Sequence, residues 1–115
     1  IEEPIELARA VSDAPESAPV VVDCITLWLS NMMLGQRDVD AAVSGLIKCL
    51  DGRRAPTIVV SSEVGTGLVP ETPLGRSFRD AMGRMNMRIA ERSDRVIFMA
   101  AGLPLVMKDR PASGR

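Results

Sequence analysis

Five things are missing or scarce in this 115-residue chain, and each bears on a class of function. There is no basic excess. Fourteen Lys and Arg residues stand against 15 Asp and Glu, whereas a nucleic-acid surface needs a clustered positive surplus. No apolar run approaches the roughly 18 residues of a membrane span. The first residues lack the charged-then-apolar pattern of a secretory signal peptide. Cysteine is scarce: Cys24 and Cys49 are the only two, neither lies in a CxxC pair, and a reduced, cytoplasmic setting is expected. Finally, no G-x-x-x-x-G-K-[ST] phosphate loop is present. The chain also opens at Ile1 within what reads as a helix entry, without an initiator Met, so truncation at the N-terminus is expected.

What is present suits one modest globular core, with 46% hydrophobic and 25% charged residues. Ile1–Asp13 is expected to form a first helix with Pro4 at its first position and Ile5, Ala8 and Val11 on one face. Val20–Ile25, "VVVDCI", is a β-branched run apolar on both faces, the pattern of a central parallel strand covered by helices. Thr26–Leu34 follows as a buried helix ended by Gly35. Val39–Leu50 has the clearest 3.6-residue period, with Asp38 as its cap. Thr57–Val64 is a second buried strand. Leu74–Ser93 is a long helix whose inner face carries Leu74, Phe78, Ala81, Met82, Met85 and Ile89. Asp94–Lys108 is a third strand that turns at Gly102 into a hairpin. Strands alternating with helices across short loops predict an α/β domain over residues 1–108: a mostly parallel sheet with helices on both faces, and a frayed tail at 109–115.

In open α/β sheets, ligands bind beyond the carboxyl ends of the strands. Asp23 closes the first strand and Glu63 the second. An apolar strand ending in Asp has the shape of a carboxylate that holds Mg²⁺ beside a nucleotide; it equally suits a residue that faces solvent or caps the next helix. Glu63 precedes Gly65 and Gly67, which permit positive φ and close approach to a ligand. The same glycines serve a plain turn. Arg76 and Arg79 lie in the first turns of the long helix, where guanidinium forks suit phosphate oxygens. Arg84, Arg88 and Arg92 read as a solvated face with local ion pairs. Asn86 borders the apolar face and reads as a buried hydrogen-bonding group. Trp28 and the seven methionines read as core.

The runs "VVVDCITLWLSNMML" and "IVVSSEVGTGLVPETPLGRSFRDAMGRMNMRIAERSDRVIFMAAGLPLVMK", preceded by "EEP", resemble the bifunctional adenosylcobinamide kinase / adenosylcobinamide-phosphate guanylyltransferases of cobalamin biosynthesis. The resemblance extends to Lys108. It implies a P-loop NTPase (RecA-like) fold in a homotrimer, acting on adenosylcobinamide and its phosphate. It implies phosphorylation of adenosylcobinamide with ATP or GTP, and then GMP transfer from GTP through a guanylylated histidine to give adenosylcobinamide-GDP, with Mg²⁺ as metal. This sequence holds neither a histidine nor the phosphate loop, so it corresponds to the C-terminal portion of such an enzyme and is expected to be inactive alone. By resemblance Glu2 and Asp23 contact the guanine nucleotide, while Glu63, Gly65, Gly67, Arg76 and Arg79 line the site. Whether Asp23 or Glu63 holds the metal stays open. Two rivals remain: another P-loop kinase or ATPase without its N-terminus, and a non-enzymatic short form that oligomerises. A phosphate loop encoded in frame upstream of Ile1 separates truncation from a short form. A histidine in the helix after the second strand of the full protein favours guanylyltransfer.

Overall fold

The computed structural model describes residue 3 and residues 5–62 and 72–110. Their order is α1 (Leu7–Asp13), β1 (Val20–Val22), α2 (Ile25–Leu34), α3 (Val39–Asp51), β2 (Thr57–Val59), α4 (Pro73–Arg92), β3 (Arg95–Ala100) and β4 (Leu103–Asp109). β1 and β2 pair in parallel, with Val20 against Thr57 and Val22 against Val59. β3 and β4 form a separate antiparallel ribbon.

The helices form where period and caps agree. α3 buries Val43 and Leu46, and the Asp38 side chain accepts from Ala41 N–H at its N-cap, satisfying one of the amides that a helix start leaves without a partner. α4 starts at Pro73, with the Thr72 hydroxyl accepting from Gly75 N–H. It buries Ala81, Met82 and Met85. Leu74, expected on that inner face, is exposed, because the first turn extends past the core. α1 begins at Leu7 after the Glu6 N-cap, later than the sequence pattern suggested. The proposed Pro4 position lies outside the described residues. α2 does end at Gly35, but the left-handed residue is the next one, Gln36, at φ 53°.

The core gathers Val11 from α1, Val22 from β1, Ile25, Trp28, Leu29 and Met32 from α2, Val43 and Leu46 from α3, and Ala81, Met82 and Met85 from α4. Trp28 packs there and donates its indole N–H to Ile5 C=O at 2.7 Å, a partner that a buried indole needs.

Two expectations about the sheet fail. Helices were expected to cover both faces, yet Val21 and Ile58, paired across the strands, are 62% and 58% exposed. The core covers the other face, where Val22 is buried. The third strand, with its hairpin at Gly102, was expected to extend the mostly parallel sheet. The hairpin does form, turning at Ala101 and Gly102 with φ of 52° and 74°, but β3 pairs only with β4 among the described residues and not with the parallel pair. Two consecutive positive φ values make a two-residue hairpin loop whose twist matches the strands. That local pairing closes with no long-range contact, and it leaves Leu103, Leu105 and Met107 exposed. The ribbon reaches Asp109, whose carboxylate pairs with Arg95 at 3.2 Å, and Arg110 N–H donates to Asp94 C=O.

Candidate functional site

The carboxyl end of the β1–β2 pair is built by backbone bonds that alternate across it. Val60 N–H donates to Val22 C=O at 2.8 Å, and Ile25 N–H donates to Val60 C=O at 2.9 Å. Asp23 and Cys24 sit between these two anchors. The Asp23–Cys24 peptide is cis, Asp23 is exposed, and Cys24 serves as the N-cap residue of α2. Cys24 therefore belongs to the helix start and not to the strand, and both Cys24 and Cys49 are free thiols.

Beyond Val60, Ser61 and Ser62 are held from two sides. Ser62 N–H donates to the Thr26 hydroxyl at 3.0 Å, in the first turn of α2. Asn86 of α4 donates its amide to Ser62 C=O at 3.0 Å and accepts from the Ser61 hydroxyl at 2.6 Å. The orientation of the amide follows from its partners: a carbonyl can only accept, so nitrogen faces Ser62 and oxygen faces Ser61. Asn86 is half-buried and does hydrogen-bond, but the buried bond expected of it is not what forms: both bonds are exposed and reach a strand end.

Arg76 and Arg79 occupy the first two turns of α4. Arg79 lies seven residues before Asn86 on the same helix, so the two share a face about 10 Å apart along the axis. Arg76 is exposed and Arg79 half-buried. Arg88 and Arg92, expected on a solvated face, tie α4 to α3: Arg88 donates to the Ser44 hydroxyl at 2.6 Å, and Arg92 pairs with Asp51 at 2.6 Å. That pairing raises the guanidinium pKa of Arg92 further, through its hydrogen bond with Asp51 and then their mutual charge.

Of the residues singled out from sequence, the strand end thus carries Asp23, with Arg76 and Arg79 in the first turns of α4. Glu2, Glu63, Gly65 and Gly67 lie outside the described residues. Thr26, Ser61 and Ser62 were not singled out. Their signal was the polar pair that follows an apolar strand, together with a hydroxyl in the first turn of the next helix. No group of three or more His, Cys, Asp or Glu side chains able to hold a metal occurs among the described residues. A cleft of about 260 Å³ lies elsewhere, lined by Leu7, Trp28, Met32 and Ala42 with Glu6 and Arg37 at its rim. It includes none of the candidate site residues and is smaller than most ligand pockets.

A parallel strand pair with its polar groups gathered past the carboxyl end has the layout of an α/β ligand-binding protein. Residues 1–107 match the family model for cobinamide kinase / cobinamide phosphate guanyltransferase, and the chain belongs to that family. The bifunctional adenosylcobalamin biosynthesis protein CobP of Pseudomonas aeruginosa is 40% identical over 114 residues, covering 96% of this chain and 66% of the relative. CobU of Salmonella typhimurium is 31% identical over 83% of this chain and 60% of its own length. CobU of Escherichia coli is 29% identical, over 84% and 62%. The chain therefore spans between 60% and 66% of the length of these relatives. No helix among the described residues is long and apolar enough to cross a membrane.

Proposed function

We propose that this chain forms part of the nucleotide site of a cytoplasmic enzyme of cobalamin biosynthesis. The enzyme phosphorylates adenosylcobinamide with ATP or GTP, then transfers GMP from GTP to adenosylcobinamide phosphate to give adenosylcobinamide-GDP. The family match over residues 1–107 carries this reading, and the relatives are named as bifunctional adenosylcobalamin biosynthesis proteins. The P-loop fold and the homotrimer belong to the same proposal.

Both reactions transfer phosphorus between oxygen or nitrogen nucleophiles. Positioning and charge neutralisation supply most of the rate in such chemistry. On this reading Glu2 and Asp23 contact the nucleotide, Glu63, Gly65 and Gly67 line its site, and the Arg76 and Arg79 guanidiniums offset phosphate charge. The oxygen donor at Asp23 fits Mg²⁺, which is commonly held by one or two carboxylates together with water and substrate phosphates; Glu63 is the other candidate. When bound, Mg²⁺ neutralises charge on the phosphates. The covalent step needs a nucleophilic nitrogen, and these 115 residues contain no histidine. They also contain no phosphate loop. We therefore assign the loop and the nucleophile to sequence outside this chain, and expect the chain alone to carry out neither transfer.

The test is incubation of the full-length protein with GTP labelled at the α-phosphate, followed by denaturing electrophoresis. A covalent label that is labile in acid and stable in alkali, as a phosphoramidate is, supports guanylyl transfer. Bound GTP with no covalent label overturns it in favour of a simple kinase. Labelling of the isolated 115-residue chain overturns the assignment of the nucleophile to sequence outside it.

A further inference from the structure

We propose that Thr26 and Asn86 are positioning residues for the transfer reaction, holding Ser61 and Ser62 in fixed register beside Asp23. This rests on the transferase reading above.

Three hydrogen bonds carry the inference. Thr26 accepts from Ser62 N–H, and Asn86 bridges Ser61 and Ser62 with both ends of its amide. They come from two different helices and converge on two consecutive residues. The ladder bonds through Val60 stop one residue earlier, so this clamp extends the order of β2 beyond the last strand residue. It has a chemical consequence too. The Ser61 hydroxyl proton is committed to Asn86, which leaves the Ser61 oxygen an acceptor for anything that approaches from solvent. A donor such as a metal-bound water or a substrate hydroxyl meets a lone pair there, at the same carboxyl end of the strand pair that carries Asp23.

None of the three bonds is buried, so their contribution to global stability is small. A group placed for stability alone would be expected in the core. Misplacing a reacting group by about 1 Å costs on the order of 100-fold in rate, so a clamp of low structural value at a ligand edge acts mainly on geometry.

Two variants of the full-length protein test this. Thr26→Val removes the acceptor while keeping the branched shape. Asn86→Asp keeps the acceptor for Ser61 and deletes the donor to Ser62. Each is expected to lower kcat by about 10- to 100-fold with nucleotide KM changed less than about threefold. Thr26→Ser, which restores the hydroxyl, is expected to recover most of the loss. Amide hydrogen exchange should show Ser62 deprotected in Thr26→Val while Val60 stays protected. Full kcat in either variant overturns the proposal, as does a Thr26→Ser protein as slow as Thr26→Val. If Thr26→Val does not fold, Asn86→Asp and Thr26→Ser decide the matter. A wild-type protein with no transferase activity overturns the functional reading, and with it the catalytic role of the clamp. Exchange at Ser62 then still decides whether the clamp itself exists.

Discussion

Replacing Arg53 by alanine should remove a knot that ties the first part of the chain to β2. Arg53 Nε donates to the Thr57 hydroxyl at 3.3 Å. One terminal nitrogen donates to Val11 C=O at 3.4 Å, at the end of α1. The other donates to Pro15 C=O at 3.2 Å and to Ala18 C=O. One planar fork thus satisfies three carbonyls of the Ala14–Pro19 loop and its approach, and fixes how that loop delivers β1 to its place beside β2. Hydrogen bonds to a charged group contribute more than neutral ones, but three of these four are 3.2–3.4 Å and none is fully buried, so each is set at about 0.5–0.75 kcal/mol. The set then contributes about 2–3 kcal/mol, a large share of the stability of a small domain. With a urea slope of about 1–2 kcal/mol per molar for a domain of this size, the unfolding midpoint of Arg53→Ala should fall by about 1–3 M. Arg53→Lys should recover less than half of that, because an ammonium is a point donor and cannot span partners on three sides. Urea unfolding followed by Trp28 fluorescence measures both. A lysine variant with the wild-type midpoint, or an alanine variant shifted by less than about 0.3 M, would refute the geometric account.

Three further outcomes follow from individual sites. Leu46 is fully buried in α3, so Leu46→Ala should cost about 3–4 kcal/mol through lost transfer energy and a residual cavity, read by the same denaturation; a loss under about 1 kcal/mol would mean that the core relaxes around the gap. Ala101 holds φ of 52° beside Gly102, and Ala101→Asn should stabilise the ribbon by up to about 1 kcal/mol, since Asn-Gly favours this loop; slower amide exchange across β3 and β4 would show it. The Glu6 and Ile5 backbone N–H groups donate to the Glu3 carboxylate and hold its pKa below the ordinary value, the Glu6 bond contributing most. A depressed carboxylate stabilises fully above its unfolded pKa of about 4.3, and that contribution fades as pH falls through the lower folded value. A carbon-detected NMR titration should place Glu3 below free glutamate, and a midpoint at or above it would refute the two backbone hydrogen bonds to its carboxylate.

Much of the architecture was legible locally. The 3.6-residue period of α3, its Asp38 cap, the inner face of α4 from Phe78 to Ile89 and the hairpin turn at Gly102 all depend on residues within one or two turns of each other. The family was legible as well, because long runs such as "DCITLWLSN" need no three-dimensional context to be compared. Asp23 at the end of an apolar strand was visible for the same reason.

Pairing was not legible. "VVV" and "TIV" read alike as strands buried on both sides, and only the packed chain shows that Val21 and Ile58 face outward while Val22 meets the core. Likewise the turn at Gly102 pointed to a hairpin, but nothing local showed that "RVIFMA" would stand apart from the parallel pair. The roles of Thr26, Asn86 and Arg53 share this property. Each acts on backbone groups far along the chain: Asn86 on Ser62, Thr26 on Ser62 and Arg53 on Val11. A side chain's helix face follows from its spacing. Its hydrogen-bond partner follows only from which segments the core brings together. The sequence by itself thus determined the helices, the turn, the family and the carboxylate at the strand end. The tertiary structure alone decided which strand lies beside which, which sheet face meets the core, and which polar groups hold the strand end, because those outcomes are set by contacts between residues dozens of positions apart.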